Sequence, residues 1–126
     1  MTADEFRELA LSFRGATENA HMNHPDFRAH GRIFATLGYP NVTRGMVKLA
    51  PHDQRQFVAS HPEAFTPVKG AWGLQGCTSV LLTAAKRDVL AQALDLAWQN
   101  SAIVAVAKRS PNKTSAKPAK KARTTR

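Results

Sequence analysis

Few side chains in this chain are arranged for chemistry. The segment Gly70-Ala-Trp-Gly-Leu-Gln-Gly76 spaces its glycines three apart. One reading is close backbone approach to a phosphate, with Trp72 stacking on a base and Lys69 pairing with the nucleic-acid backbone. The other is a tight strand connection that packs Trp72 onto the domain, and this is favoured because loop glycines commonly serve turns. The segment lacks the Gly-Lys-Ser/Thr ending of a phosphate-binding loop and the spacing of a dinucleotide fingerprint. Four further cations, Arg28, Arg32, Arg44 and Lys48, fall on consecutive extended segments or their ends. If those strands are neighbours, about 5 Å apart, their cationic heads can converge along a phosphate backbone. The alternative is a solvated face balanced by Glu18, Asp26 and helix carboxylates.

The remaining candidates carry less. His21 and His24 have a zinc-like spacing, and His30 lies close by. However, no cysteine or paired carboxylate completes a tetrahedral set, and on an extended segment His21 and His24 point to opposite faces. No metal and no cofactor is therefore expected. Cys77 opens a strand with nothing basic beside it in sequence, which suits a buried thiol rather than a nucleophile. Ser12, Ser60 and Ser79 lack a nucleophile elbow, and Glu18, Asp26 and Asp53 form no recognisable pair. No reaction is indicated, so an enzyme is not expected.

The C-terminal nineteen residues are the strongest electrostatic signal. Lys108, Arg109, Lys113, Lys117, Lys120, Lys121, Arg123 and Arg126 stand among Ala, Ser, Thr, Pro and one Asn, with no acidic residue. The preceding 107 residues hold ten basic and nine acidic side chains, so nearly all of the net charge of +9 belongs to this tail. With no large apolar residue to bury, the tail cannot offset its own ordering entropy and is expected to be disordered. Its composition resembles the Lys/Ala/Pro arms of histone-H1-like proteins and suits phosphate contact without sequence preference. An acidic protein surface, an anionic membrane or a merely solubilising role are the alternatives. No lipidation signal accompanies the tail, which weakens the membrane reading.

These residues need elements to position them. Thr2 and Glu5 form a capping box, and Phe6, Leu9, Ala10 and Phe13 follow at helical spacing, giving a helix over about 3–13 that Gly15 ends. Arg28–His30 and Arg32–Leu37 read as strands about a tight turn at Gly31. In the second of them Ile33, Ala35 and Leu37 alternate with Arg32, Phe34 and Thr36. Arg44–Leu49 resumes the alternation. Pro51 starts a short helix that His61-Pro62 stops. Strands follow at about Ala64–Val68 and Thr78–Leu82, and a long helix begins near Ala85. The expected order is helix, three strands, helix, two strands, helix. This is an α+β plan with helices covering one face of an antiparallel sheet.

Residues 1–107 are accordingly expected to form one domain, with 108–126 as an appended arm. No stretch approaches the ~20 apolar residues that cross a bilayer, and no signal peptide is apparent. With a single cysteine, a cytoplasmic location is the expectation.

The body also resembles the MmcQ/YjbR family. The stretches that carry the resemblance are Gly15-Ala-Thr-Glu18, Gly31-Arg-Ile-Phe-Ala35, Met46-Val-Lys-Leu49, Pro62-Glu-Ala-Phe65, Gly70-Ala-Trp-Gly73, Gly76-Cys-Thr78 and Ala97-Trp98. Arg14 departs from the pattern, since relatives usually have proline there. The resemblance spans roughly residues 3–107. It implies a compact fold like that of secretion chaperones or frataxin, DNA binding, and no catalytic residues. The expected function is thus a small DNA-binding protein whose basic tail clamps phosphates. The alternative is a protein- or peptide-interaction module.

Overall fold

A computed structural model describes residues 1–21, 24–38 and 41–109 of the chain. Helix α1 (Ala3–Leu11) starts on the expected capping box. The Glu5 amide donates to Thr2 Oγ1 at 3.1 Å, and the Thr2 amide donates to Glu5 Oε1 at 2.8 Å. Four strands follow: β1 (Thr17–His21), β2 (His24–Ala29), β3 (Arg32–Leu37) and β4 (Arg44–Lys48). Then come α2 (Pro51–Ser60), β5 (Phe65–Pro67), the single-turn α3 (Ala71–Leu74), β6 (Cys77–Leu81) and α4 (Arg87–Arg109). The strands form one sheet in the order β1-β2-β3-β4-β6-β5, with every neighbouring pair antiparallel.

The core lies between the helices and one sheet face. Phe27, Ala35, Val47 and Thr78 pair across four strands as one row, and Leu37, Gly45, Val80 and Phe65 form the next. Phe6 of α1 packs on Phe27 with ring centroids 6.0 Å apart. Gly45 makes room for Phe6, since a Cβ there would stand 2.9 Å from its ring. Phe57 of α2 meets Phe65 at 5.2 Å. Leu90, Ala93, Leu94 and Ala97 bury the inner stripe of α4, which lies along β3 and β4. Each fully buried Phe or Leu contributes ~1.5–3 kcal/mol.

Three local departures from the sequence pattern bear on the site. First, β1 is a strand where none is expected: its Glu, Asn and Ala are poor strand formers, and an exposed edge strand shows no apolar alternation. Second, the register shifts between Phe27 and Arg28, so Phe27 pairs with Ala35 while Arg28 pairs with Ile33. Phe34 is the extra residue of this bulge. Strict alternation would turn Phe34 to solvent; the bulge instead buries it beside Ala35, with the Phe13 ring edge-on at 6.4 Å. Third, the glycine-rich segment is not all loop but contains α3. Smaller differences occur at helix ends: α1 stops at Leu11, and α4 starts at Arg87 and continues through Lys108 and Arg109. The first two residues assigned to the tail are therefore helical. The expectation of disorder for the rest concerns residues 110–126, which lie outside the described residues.

The turn from β2 to β3 is a two-residue hairpin in which His30 (φ 59°) and Gly31 (φ 75°) both lie in the left-handed region. Hairpin turns of this kind match the strand twist. Histidine tolerates that region better than most residues, and here its ring is also held. Ser101 Oγ donates to the Trp98 carbonyl at 2.6 Å, so its single hydrogen is used. His30 Nδ1, 2.9 Å from the same oxygen, is then the donor. The Trp98 ring lies 5.0 Å from the imidazole.

Candidate functional site

At one end of the sheet, the start of β3, the end of β4, α3 and the C-terminal half of α4 surround a recess of about 140 Å³. Its lining includes Arg32, Lys48, Trp72, Gln75, Asn100 and Ser101 among apolar side chains. Lys48 Nζ sits over the Trp72 ring, 5.7 Å from its centroid. That distance is within cation–π range. Trp72 is nevertheless 61 % exposed.

The position of α3 explains this exposure. From α2, Gln54 directs its amide nitrogen at the Gly73 and Cys77 carbonyls, both at 3.0 Å. A Cβ at Gly73 would stand 1.7 Å from the Val68 carbonyl oxygen, and one at Gly76 would stand 1.8 Å from that of Leu49. These glycines let two backbones touch. Within the loop, the amides of Leu74, Gln75 and Gly76 donate to the carbonyls of Gly70, Ala71 and Gly73. The tight-connection reading thus describes the glycines, while Trp72 is presented to solvent rather than packed onto the domain.

The four cations expected on one face divide. The bulge sets Arg32 opposite Ala29, out of phase with Arg28, and so brings Arg32 to the side of α4. Arg32 and Lys48 line the recess with Trp72. Arg28 and Arg44 occupy the face away from the helices, each with a partner. Arg28 makes a two-pronged contact with Asp26 at 2.9 and 3.2 Å. The Asp26 carboxylate is fully buried, and its hydrogen bonds hold Arg28 still more firmly protonated. Arg44 Nη1 donates to Ser79 Oγ at 3.1 Å. Lys69 is exposed just ahead of α3. Of the tail cations, Lys108 and Arg109 fall on the last turn of α4, and Lys113, Lys117, Lys120, Lys121, Arg123 and Arg126 lie outside the described residues.

Gln54, Gln75, Asn100 and Ser101 escape a reading by motif. One signal was available for two of them: Asn100 and Ser101 interrupt the end of an otherwise apolar helix stripe, and Ser101 is buried.

The other reactive side chains have structural or surface roles. Burial pushes the Cys77 thiol up, partly opposed by the nearby Lys48 charge. His52 pairs with Asp53 at 3.2 Å and His61 with Glu63 at 3.9 Å. Among the described residues, no group of three or more His, Cys, Asp or Glu side chains could hold a metal ion. No helix among them is long and apolar enough to cross a membrane.

Comparison with known proteins places this geometry in a family. The chain is similar in structure to a Deinococcus radiodurans protein, DR2400, that carries the DUF419 domain. The TM-score is 0.64 at 16% identity, over 88% of this chain and 83% of that one. At that identity the likeness concerns the fold alone. No curated protein matches the chain. The YjbR family model matches residues 11–100, a span that takes in the hairpin, β4, α3 and most of α4, and the chain belongs to the YjbR family.

Proposed function

We propose that this is a small cytoplasmic DNA-binding protein in which the recess docks on the nucleic acid and the basic tail holds its phosphates. One observation carries the reading: Arg32, Lys48 and exposed Trp72 share a recess from which α4 leads directly into the Lys/Arg-rich segment. Val104 of α4 lines the recess, and Arg109 follows five residues later, roughly 7 Å along the helix. The tail is thus joined to the body on the side where the two recess cations lie. Cations with an aromatic plane suit phosphate and base together. Arg28 and Arg44, tied to Asp26 and Ser79, are secondary contributors, and Lys69 lies near enough in sequence to Trp72 to extend the contact.

The test is a fluorescence-anisotropy titration against salt. If six to eight tail charges meet phosphates, affinity falls by ~10³–10⁵ between 50 and 200 mM salt. Replacing Lys113, Lys117, Lys120, Lys121, Arg123 and Arg126 by glutamine should remove most of that dependence. Arg32→Ala and Lys48→Ala should each reduce the slope of log affinity against log salt by about one. Failure of the full-length chain to bind DNA at ~50 mM salt sinks the reading, since counterion release is strongly favourable there.

A second reading is a protein- or peptide-interaction module with a solubilising tail. It is favoured by Trp72 and Leu74, which expose apolar side chains on α3, the latter at 82 %. Salt-insensitive binding of an apolar peptide, without DNA binding, would select it.

A further inference from the structure

We infer that the recess is a stacking platform for one unpaired base, so that the protein prefers single-stranded over double-stranded nucleic acid. This deepens the proposed function and rests on it. In a duplex the faces of the bases are covered by their neighbours, and a protein reaches only groove edges and backbone. An indole that is 61 % exposed offers a plane on which a base can stack when its own face is free. Lys48 lies over one face of the Trp72 ring; a base that stacks there displaces this flexible ammonium from the indole toward the adjacent phosphate. Arg32 supplies a second cation at the rim.

Two polar side chains of the lining fit the same ligand. Gln75 and Asn100 carry amides, which donate and accept at once and so can meet the edge of any base. Among the described residues, the Asn100 amide has only a long contact, 3.4 Å, with the Lys48 carbonyl. It therefore has bonding capacity to spare. The volume of about 140 Å³ admits one ring system and lies below the ~300–1,000 Å³ of most small-molecule pockets. A base that remains attached to its strand, with the polymer outside, matches that size.

The test compares a labelled oligothymidylate, whose bases stack little on one another, with a duplex of equal length, using the full chain at ~50 mM salt. The single strand should bind at least about fivefold more tightly, and Trp72→Ala should weaken it by about 5- to 150-fold while changing duplex affinity less than about twofold. Trp72→Phe, which keeps a stacking plane, should retain most of the affinity. Because Trp72 lies at the surface, the alanine variant should fold, and an unchanged thermal midpoint verifies this. Equal losses on both probes, a duplex preference, or an equal loss in Leu74→Ala would overturn the inference but leave DNA binding intact. Absence of binding to either probe would instead remove the reading beneath it. Thymidine monophosphate competing as well as the strand, per nucleotide, would reassign the recess to a free nucleotide and overturn the strand preference.

Discussion

Gln54 offers the most direct test of how α3 is held. Its amide nitrogen donates to two carbonyls, Gly73 and Cys77, from a position only 7 % exposed. Both partners are acceptors, so the nitrogen must face them. Gln54→Leu keeps most of the volume and deletes both donors. Neither carbonyl is then orphaned, because Gly73 still accepts from the Gly76 amide and Cys77 from the Val68 amide, each at 3.0 Å. The cost is therefore that of two ordinary hydrogen bonds, about 1–3 kcal/mol together. Gln54→Glu should cost more, ~3 kcal/mol or above, since it aims an unpaired carboxylate at two carbonyl oxygens. The introduced carboxyl would have a folded-state pKa raised above its unfolded value of ~4.3. Its penalty is therefore absent below that value, grows as the pH rises, and levels off above the folded value. Urea unfolding monitored by tryptophan fluorescence at neutral and acid pH measures both variants. A glutamate variant no less stable than the leucine variant at pH 7, or a leucine variant equal to the parent, would refute the role assigned to Gln54.

Other consequences are open to measurement. Gly76→Ala places a carbon 1.8 Å from the Leu49 carbonyl oxygen at φ +111° and should cost about 3 kcal/mol or more. Gly31→Ala, at φ +75° with no neighbour within 4 Å, should cost only ~1–2 kcal/mol, and thermal midpoints should rank the two accordingly. Cys77, buried with its thiol pushed up, should react slowly with a thiol reagent in the native protein and rapidly in urea; fast native labelling would contradict its placement. The Glu5 carboxyl is held below its ordinary value of 4.5, chiefly by the Thr2 backbone amide. Its contribution is complete above 4.5 and is lost as the pH falls through the lower folded value. Glu5→Gln should therefore flatten the acid side of the midpoint-versus-pH curve.

How much of this was legible depended on the range of the interaction. Thr2 and Glu5 are three residues apart, and their capping box was readable because a cap is a local contract between side chain and backbone. Pro51 at the start of α2 and the apolar stripe of α4 were readable for the same reason. The buried Phe34 was not, because a bulge is decided between two strands and leaves no period-two trace in either. That one inserted residue also decided the site. It put Arg32 out of phase with Arg28, whereas strict alternation would have placed the four cations on one face. Trp72 and Lys69 were singled out from local composition, yet the neighbour that defines Trp72 is Lys48, twenty-four positions earlier in the sequence. Gln54 gave no signal because a polar residue on a surface helix is ordinary until its partners are known.

If the protein binds nucleic acid as proposed, the unbroken run of α4 past the recess to Arg109 has a kinetic consequence. On the proposed function, a strand held by the basic arm would stay in the neighbourhood of Trp72, so the second contact would be intramolecular. For short connections the effective concentration is on the order of millimolar, and the gain in avidity can reach ~10²–10⁴ without any new interaction. Two individually weak attachments would then let the protein release a nucleic acid stepwise, one end at a time, and move along it without full dissociation. Inserting a few flexible residues after Arg109 should erode that advantage gradually, while leaving each attachment chemically unchanged.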